Sequence, residues 1–180
     1  MKPLLRGILI VAVAAGAGWL GFRQGQQNLP EAAPTAQAGP ALARLMALSL
    51  PDSAGKPQRL EQWRGRPLVI NFWATWCPPC KEEMPALSRA QEQFSAKGVQ
   101  FVGISIDEAT NVTQYLKNNK VAYPLLIATP DTLSLVADLG NATQGLPFTL
   151  ILDRAGQIAA VKLGRIGEEE LAQHLRRIAP

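Results

Sequence analysis

Cys77 and Cys80 lie in the stretch NFWATWCPPCKEEMP, residues 71–85, and are the only cysteines in the 180-residue chain. The two residues between them are both prolines, Pro78 and Pro79. A structural staple is a poor use of such a pair, because a disulfide stabilises more when it closes a long loop. A structural zinc site needs four ligands, and the chain adds only one histidine, His174, far away on the last predicted helix. Haem attachment requires a histidine directly after the second cysteine, where this chain has Lys81. Thiol chemistry, in contrast, has a mechanism. A cysteine at the amino end of a helix faces unpaired N–H groups and the positive end of the helix dipole. Both favour thiolate, and such cysteines titrate at roughly 3.5 to 7.5 instead of about 8.5. The thiolate attacks a disulfide, and a second thiol one turn along attacks the resulting mixed disulfide. The competing reading is a carrier of Cu(I), a soft ion that two thiolates could hold. Trp73 and Trp76 flank the pair as an apolar rim, with core packing an equal alternative for Trp73.

This chemistry needs a strand that delivers the chain to a helix opening near Cys77. RPLVINFWA is a short, nearly continuous apolar run, as a central strand should be. Met84, Leu87 and Phe94 then fall on one helical face, and Lys97-Gly98 ends that helix. Pro85 sits inside it without an N–H to donate and is expected to kink it. Glu82 and Glu83 read as a solvated helix face, and Lys81 as exposed. Upstream, Met46, Leu48 and Leu50 alternate with smaller residues, which predicts a strand before the turn PDSAGKPQ. Downstream, VQFVGISID is a strand, NVTQYLKNN a helix and YPLLIA a strand. DTLSLVADLG is a helix opened by Asp131 and closed by Gly140. FTLILDRAGQIAAVKLG reads as a hairpin turning at Arg154–Gly156. In the final helix, EEELAQHLRRIA, the acids precede the arginines, as the helix dipole prefers. The order predicts an α/β domain with a mixed sheet and helices on both faces.

The net charge of +4 is unevenly placed: Lys2, Arg6 and Arg23 carry three of these charges, leaving +1 for everything after Arg23. No basic patch with interleaved aromatics remains, which argues against a nucleic-acid partner. Gly7–Phe22 holds no charge, and its sixteen residues would span roughly 24 Å as a helix. Arg6 and Arg23 could snorkel to lengthen that span. Residues 1–23 are therefore expected to be a membrane anchor, with a cleaved signal peptide as the alternative. The bulky Trp19, Leu20 and Phe22 at the end of the run suit a membrane interface. Basic residues before the run favour an N-terminus in the cytoplasm and a body outside it. Residues 24–43, rich in Gln, Ala and Pro, read as a semi-stiff spacer, and 44–180 as the folded domain.

NFWATWCPPCKEEMP resembles the active-site segment of the thioredoxin superfamily. With LPDSAGKPQRLEQWRGRPLVI before it and VGISIDEATNVTQYLKNNKVAYPLLI and QGLPFTLILDRAGQI after it, residues 44–180 are similar to the membrane-anchored TlpA/ResA-like thiol-disulfide oxidoreductases. The resemblance implies a thioredoxin-like fold and a redox-active Cys77–Cys80 disulfide, with no other cofactor and no metal. By the same resemblance, Cys77 is the attacking cysteine and Cys80 the resolving one. Pro147 is cis and faces them. Leu146 offers its backbone to an extended substrate segment, with Trp76 and Pro78 also lining the groove. Thioredoxins carry a buried Asp six residues before the first cysteine; Asn71 stands there and cannot move a proton. ResA-like proteins place a functional acid in the insert instead, which makes Glu108 the candidate proton shuttle, beside Asp107. The implied partners are a protein with a disulfide, such as apocytochrome c, and a membrane thiol carrier that supplies electrons to a monomeric, periplasmic reductase. A disulfide oxidant or isomerase would use the same chemistry. The peroxiredoxin pattern Pro-x-x-x-Thr-x-x-Cys is absent, since Thr75 is only two residues before Cys77.

Overall fold

Leu42, Leu45 and Met46 recur at the spacing of one helical face, and they draw Ala38–Ala47 into a helix, α1, with Ala38 and Ala41 on the same buried side. The computed structural model describes residues 38–179. The expected membrane segment, 1–23, and the spacer positions 24–37 lie outside the described residues. Positions 38–43, read from composition as spacer, belong to α1. The strand expected from Met46 shrinks to β1, Ser49–Pro51, because the helical spacing of the residues before it wins. Among the described residues no helix is long and apolar enough to cross a membrane.

β1 pairs antiparallel with β2, Pro57–Arg59. The Asp52 carboxylate holds the turn between them by accepting from the backbone N–H groups of Ala54 and Lys56. A single 3-10 turn, Leu60–Trp63, leads on to β3, Leu68–Trp73. The remaining strands are β4, Gln100–Ser105, β5, Leu125–Ile127, β6, Phe148–Leu152, and β7, Ile158–Leu163. The five-stranded sheet runs β5-β4-β3-β6-β7. β3, β4 and β5 are parallel, and β6 and β7 are antiparallel additions, so the sheet is mixed.

Every residue of the central strand β3 is buried, and its alternation feeds two cores. Leu68, Ile70 and Phe72 join a cluster with Leu42 and Leu45 of α1 and Leu135 and Val136 of α4, Pro130–Asp138. Val69 and Trp73 join a second cluster with Met84 and Leu87 of α2, Pro78–Ser95, with Val112 of α3, Ala109–Asn118, and with Leu171 and Leu175 of α5, Glu168–Ile178. Helices therefore cover both faces. Residue 129, not the expected Asp131, caps α4: the Thr129 N–H donates to Thr132 Oγ1 at 3.1 Å. Gly140, with φ of 109°, follows its end in the left-handed region that favours glycine.

Candidate active site

β3 ends at Trp73, and the chain turns within three residues into α2, whose N-cap is Cys77. Pro78 and Pro79 take the first two helical positions, where a missing N–H costs nothing. The first N–H after them, that of Cys80, donates to Cys77 Sγ at 3.3 Å. The two sulfurs form a disulfide of 2.06 Å, with the Cα atoms 5.3 Å apart. Cys80 is wholly buried, whereas Cys77 keeps 5% exposure, so access to the bond is from the Cys77 side. Pro78 and Pro79 are exposed beside it. Trp76 is 63% exposed. Trp73 is different: it is fully buried and packs on Tyr115 with ring centroids 5.2 Å apart, which is core packing.

The Leu146–Pro147 peptide is cis. Antiparallel register pairs Phe72 with Phe148, which brings Pro147 to the edge where β3 gives way to the Cys77 turn. Gly164 N–H donates to the Pro147 carbonyl at 2.8 Å. Leu146 packs against both cores, including the cluster that contains Cys77 and Cys80. Its own backbone N–H and C=O have no partner among the described residues.

Glu83 was expected on a solvated face, and the structure corrects this. Cys80, Glu83, Met84, Leu87, Ala90, Gln91 and Phe94 form the buried stripe of α2. Glu83 is 2% exposed. Its Oε1 accepts from Asn71 Nδ2 at 2.8 Å, and its Oε2 accepts from the Ile166 N–H at 3.0 Å. Asn71 also donates to Thr149 Oγ1, its cross-strand neighbour on β6, at 3.0 Å. Burial disfavours the charged carboxylate more than these hydrogen bonds and Arg165 favour it, and the Glu83 pKa is raised from 4.5 to about 7. The sequence does carry a signal for this position. Glu83 follows Cys80 by three residues and precedes Leu87 by four, which is the spacing of one helical face. The neighbouring Glu82 is exposed and pairs with Arg165 at 3.0 Å, as a solvated face should.

The two acids after β4 divide their roles. Asp107 is half-buried and accepts from the Thr75 hydroxyl, in the turn before Cys77, and from Asn111 Nδ2 at 2.7 Å. Partial burial raises its pKa, but the bonds from Thr75, Asn111 and the Glu108 N–H outweigh that and hold it below the ordinary aspartate value. Glu108 is the N-cap residue of α3; its side chain is exposed and makes no hydrogen bond among the described residues. The described residues contain no cluster of three or more His, Cys, Asp or Glu side chains that could hold a metal ion.

Residues 29–175 match the Redoxin family. The chain is 30% identical over 132 residues to the thiol-disulfide oxidoreductase ResA of Geobacillus thermodenitrificans, covering 73% of this chain and 74% of that one. It is equally 30% identical over 132 residues to ResA of Bacillus subtilis, covering 73% of this chain and 72% of that one. Among solved structures, a thioredoxin-family thiol:disulfide interchange protein from Chlorobium tepidum superposes with a TM-score of 0.67 at 28% identity, over 73% of this chain and 92% of that one. A thioredoxin-related protein from Neisseria meningitidis serogroup B superposes with a TM-score of 0.65 at 30% identity, over 72% of this chain and 97% of that one. A disulfide at a helix N-cap, on a thioredoxin-like sheet that these relatives share, makes this chain a member of the redoxin family and a thiol-disulfide oxidoreductase.

Proposed function

We propose that the protein reduces disulfides of specific proteins outside the cytoplasm, with Cys77 as attacking thiol, Cys80 as resolving thiol and Glu83 as proton acceptor. The observation that carries this reading is the placement of Cys80 and the buried Glu83 three residues apart on the one buried stripe of α2. In the reduced protein the Cys77 thiolate attacks a substrate disulfide. One substrate sulfur leaves as a thiolate, and a mixed disulfide forms. Cys80 then passes its proton to the Glu83 carboxylate and attacks Cys77 Sγ. Cys77–Cys80 closes and the second substrate sulfur leaves; the substrate becomes a dithiol by taking one proton from solvent and one back from Glu83. Two electrons and two protons from a membrane thiol carrier restore the enzyme. A pKa of about 7 leaves both forms of Glu83 populated near neutrality, which suits a group that accepts and later returns a proton. Asn71 supports the charged form by donating through Nδ2 to Glu83 Oε1. Glu83 thus takes the role that the sequence assigned to Glu108, which lies exposed.

The unpartnered backbone of Leu146 suits an extended substrate segment that pairs with it as an added strand. Trp76 and Pro78 supply exposed apolar surface beside the disulfide. A CxxC segment of apocytochrome c fits such a site. The basic flanks of residues 1–23 favour an anchor in the membrane, with the domain on the periplasmic side. The test is Cys80→Ala, which removes the resolving thiol. That variant is expected to accumulate covalent adducts through Cys77 that reducing agent cleaves, and their identification from cells names the substrate. Cys77→Ser is expected to form none. Adducts through Cys80 alone, in a Cys77→Ser protein, would reverse the assignment.

A further inference from the structure

A cavity of about 100 Å³ opens between α4 and the loop that leads to Pro147. Phe72 and Ile106, at the carboxyl edges of β3 and β4, form its floor, Leu133 and Val136 of α4 one wall, and Leu146 the other. This is the same sheet edge from which the chain leaves for Cys77, and ligands of α/β sheets gather at such edges. No charged side chain lines the cavity.

Its outer wall is a built loop. Asn141 is fully buried and holds Gly145 twice: its Nδ2 donates to the Gly145 carbonyl at 2.8 Å, and its Oδ1 accepts the Gly145 N–H at 3.0 Å. Gln144, between them, has a φ of 52° and donates its N–H to the Asn141 carbonyl at 2.9 Å. The pocket is therefore pre-formed, as ligand pockets usually are.

Large exposed apolar side chains are few among the described residues: Trp76, Leu133 and Leu163. They are not scattered. Trp76 adjoins Cys77. Leu163 reaches to 3.1 Å from the point where a Cβ on Gly145 would stand. Leu133 lines the cavity whose opposite wall is Leu146. Leu163 and Leu133 thus border the segment 145–147, and Trp76 borders the cysteine turn.

We infer that this cavity is a specificity pocket that receives one aliphatic side chain, of about leucine or valine size, from the protein substrate, at a position close in sequence to the cysteine under attack. The inference rests on the reductase reading above, in which an extended substrate segment pairs with the free backbone of Leu146. Successive side chains of such a strand point to opposite sides. One side chain near the reacting cysteine then faces the α4 side of Leu146, where the cavity lies, and a charged residue there would be desolvated with no opposite charge in the lining.

The test uses short peptides in which a single cysteine is blocked as a mixed disulfide with 5-thio-2-nitrobenzoate. Reduction by the Cys77/Cys80 dithiol releases the coloured aryl thiolate and the free peptide thiol, and leaves the protein disulfide. Leucine and aspartate are compared at each of the two positions before and the two after the cysteine. With the wild-type protein one position is expected to favour leucine in kcat/KM by roughly ten-fold or more, the range that hydrophobic pockets reach. In Leu133→Glu, which places a carboxylate at the rim, that leucine-to-aspartate ratio collapses, and Leu133→Met retains it. Because the ratio is taken within each variant, a change in overall rate does not mimic the result. Equal rates for leucine and aspartate at all four positions, or a ratio untouched by Leu133→Glu, overturn the pocket. Failure of the wild-type dithiol to reduce any of the peptides would instead sink the reductase reading.

Discussion

Glu83, proposed above as the proton acceptor, also makes the stability of the fold depend on pH. Its pKa is raised to about 7 by burial. Below about pH 4.5 the group carries its proton in both the folded and the unfolded chain. Between 4.5 and about 7 the unfolded chain releases the proton and the native protein keeps it, so the native state loses ground as pH rises. The interval from 4.5 to about 7 corresponds to about 3 kcal/mol. Urea unfolding of the oxidised protein should therefore show the wild type most stable, relative to Glu83→Gln, below about pH 4.5. The difference should fall as pH rises and flatten above about pH 7. A difference that is flat with pH, or that grows, would mean that Glu83 ionises like a surface carboxylate. Kinetically, Glu83→Gln should remove the limb of the pH–rate profile near neutrality, and Glu108→Gln should leave that limb in place.

Two elements hold the site from opposite sides of the sheet. α1 inserts Leu42, Leu45 and Met46 into the core beneath β3, against Leu135 and Val136 of α4. Leu45 is fully buried. Leu45→Ala is expected to cost about 2–5 kcal/mol, as comparable core truncations do, and a loss below about 0.5 kcal/mol in urea unfolding would place α1 outside the cooperative unit. On the other face, Asp107 ties the start of α3 to Thr75 and so to the turn that presents Cys77. Its pKa is held low, so its contribution is present above the ordinary aspartate range and is lost as pH falls through its native pKa. Asp107→Ala should destabilise by about 1–3 kcal/mol at pH 7. The gap to wild type should narrow in acid; one that stays constant down to pH 3 would assign the loss to packing alone.

The whole molecule brings the disulfide and the buried carboxyl, which share one stretch of chain, together with the cis peptide and the Ile166 N–H from two others. β3 delivers Cys77, β6 begins just after Pro147, and the segment before α5 supplies the Ile166 N–H that holds Glu83. Tethering such a domain to a membrane would confine its substrates to those near that surface. Mass spectrometry of the protein purified from its native membrane is expected to find residues 1–23 retained. A mature N-terminus beyond about residue 17 would establish cleavage instead.

Much of this was legible in the linear chain. A continuous apolar run located β3, helical spacing located α2, and a turn between two apolar runs located the closing hairpin, because each depends on the burial of its own apolar residues. The cysteine pair was legible as chemistry because only its spacing and its place at a helix start matter. What the chain could not express was which polar residues fold inward. Glu82 and Glu83 are adjacent and chemically identical, yet one meets Arg165 in solvent and the other lies under β3 against Asn71. That difference is set by the rotation of α2 against the sheet, which packing of Met84, Leu87 and Phe94 decides. Likewise, Met46, Leu48 and Leu50 fit a strand as well as Leu42, Leu45 and Met46 fit a helix, and docking against α4 resolved the ambiguity. Of the two neighbouring acids the chain pointed to Glu108, and only the fold carries Asp107 beside Thr75, a contact between residues 32 positions apart.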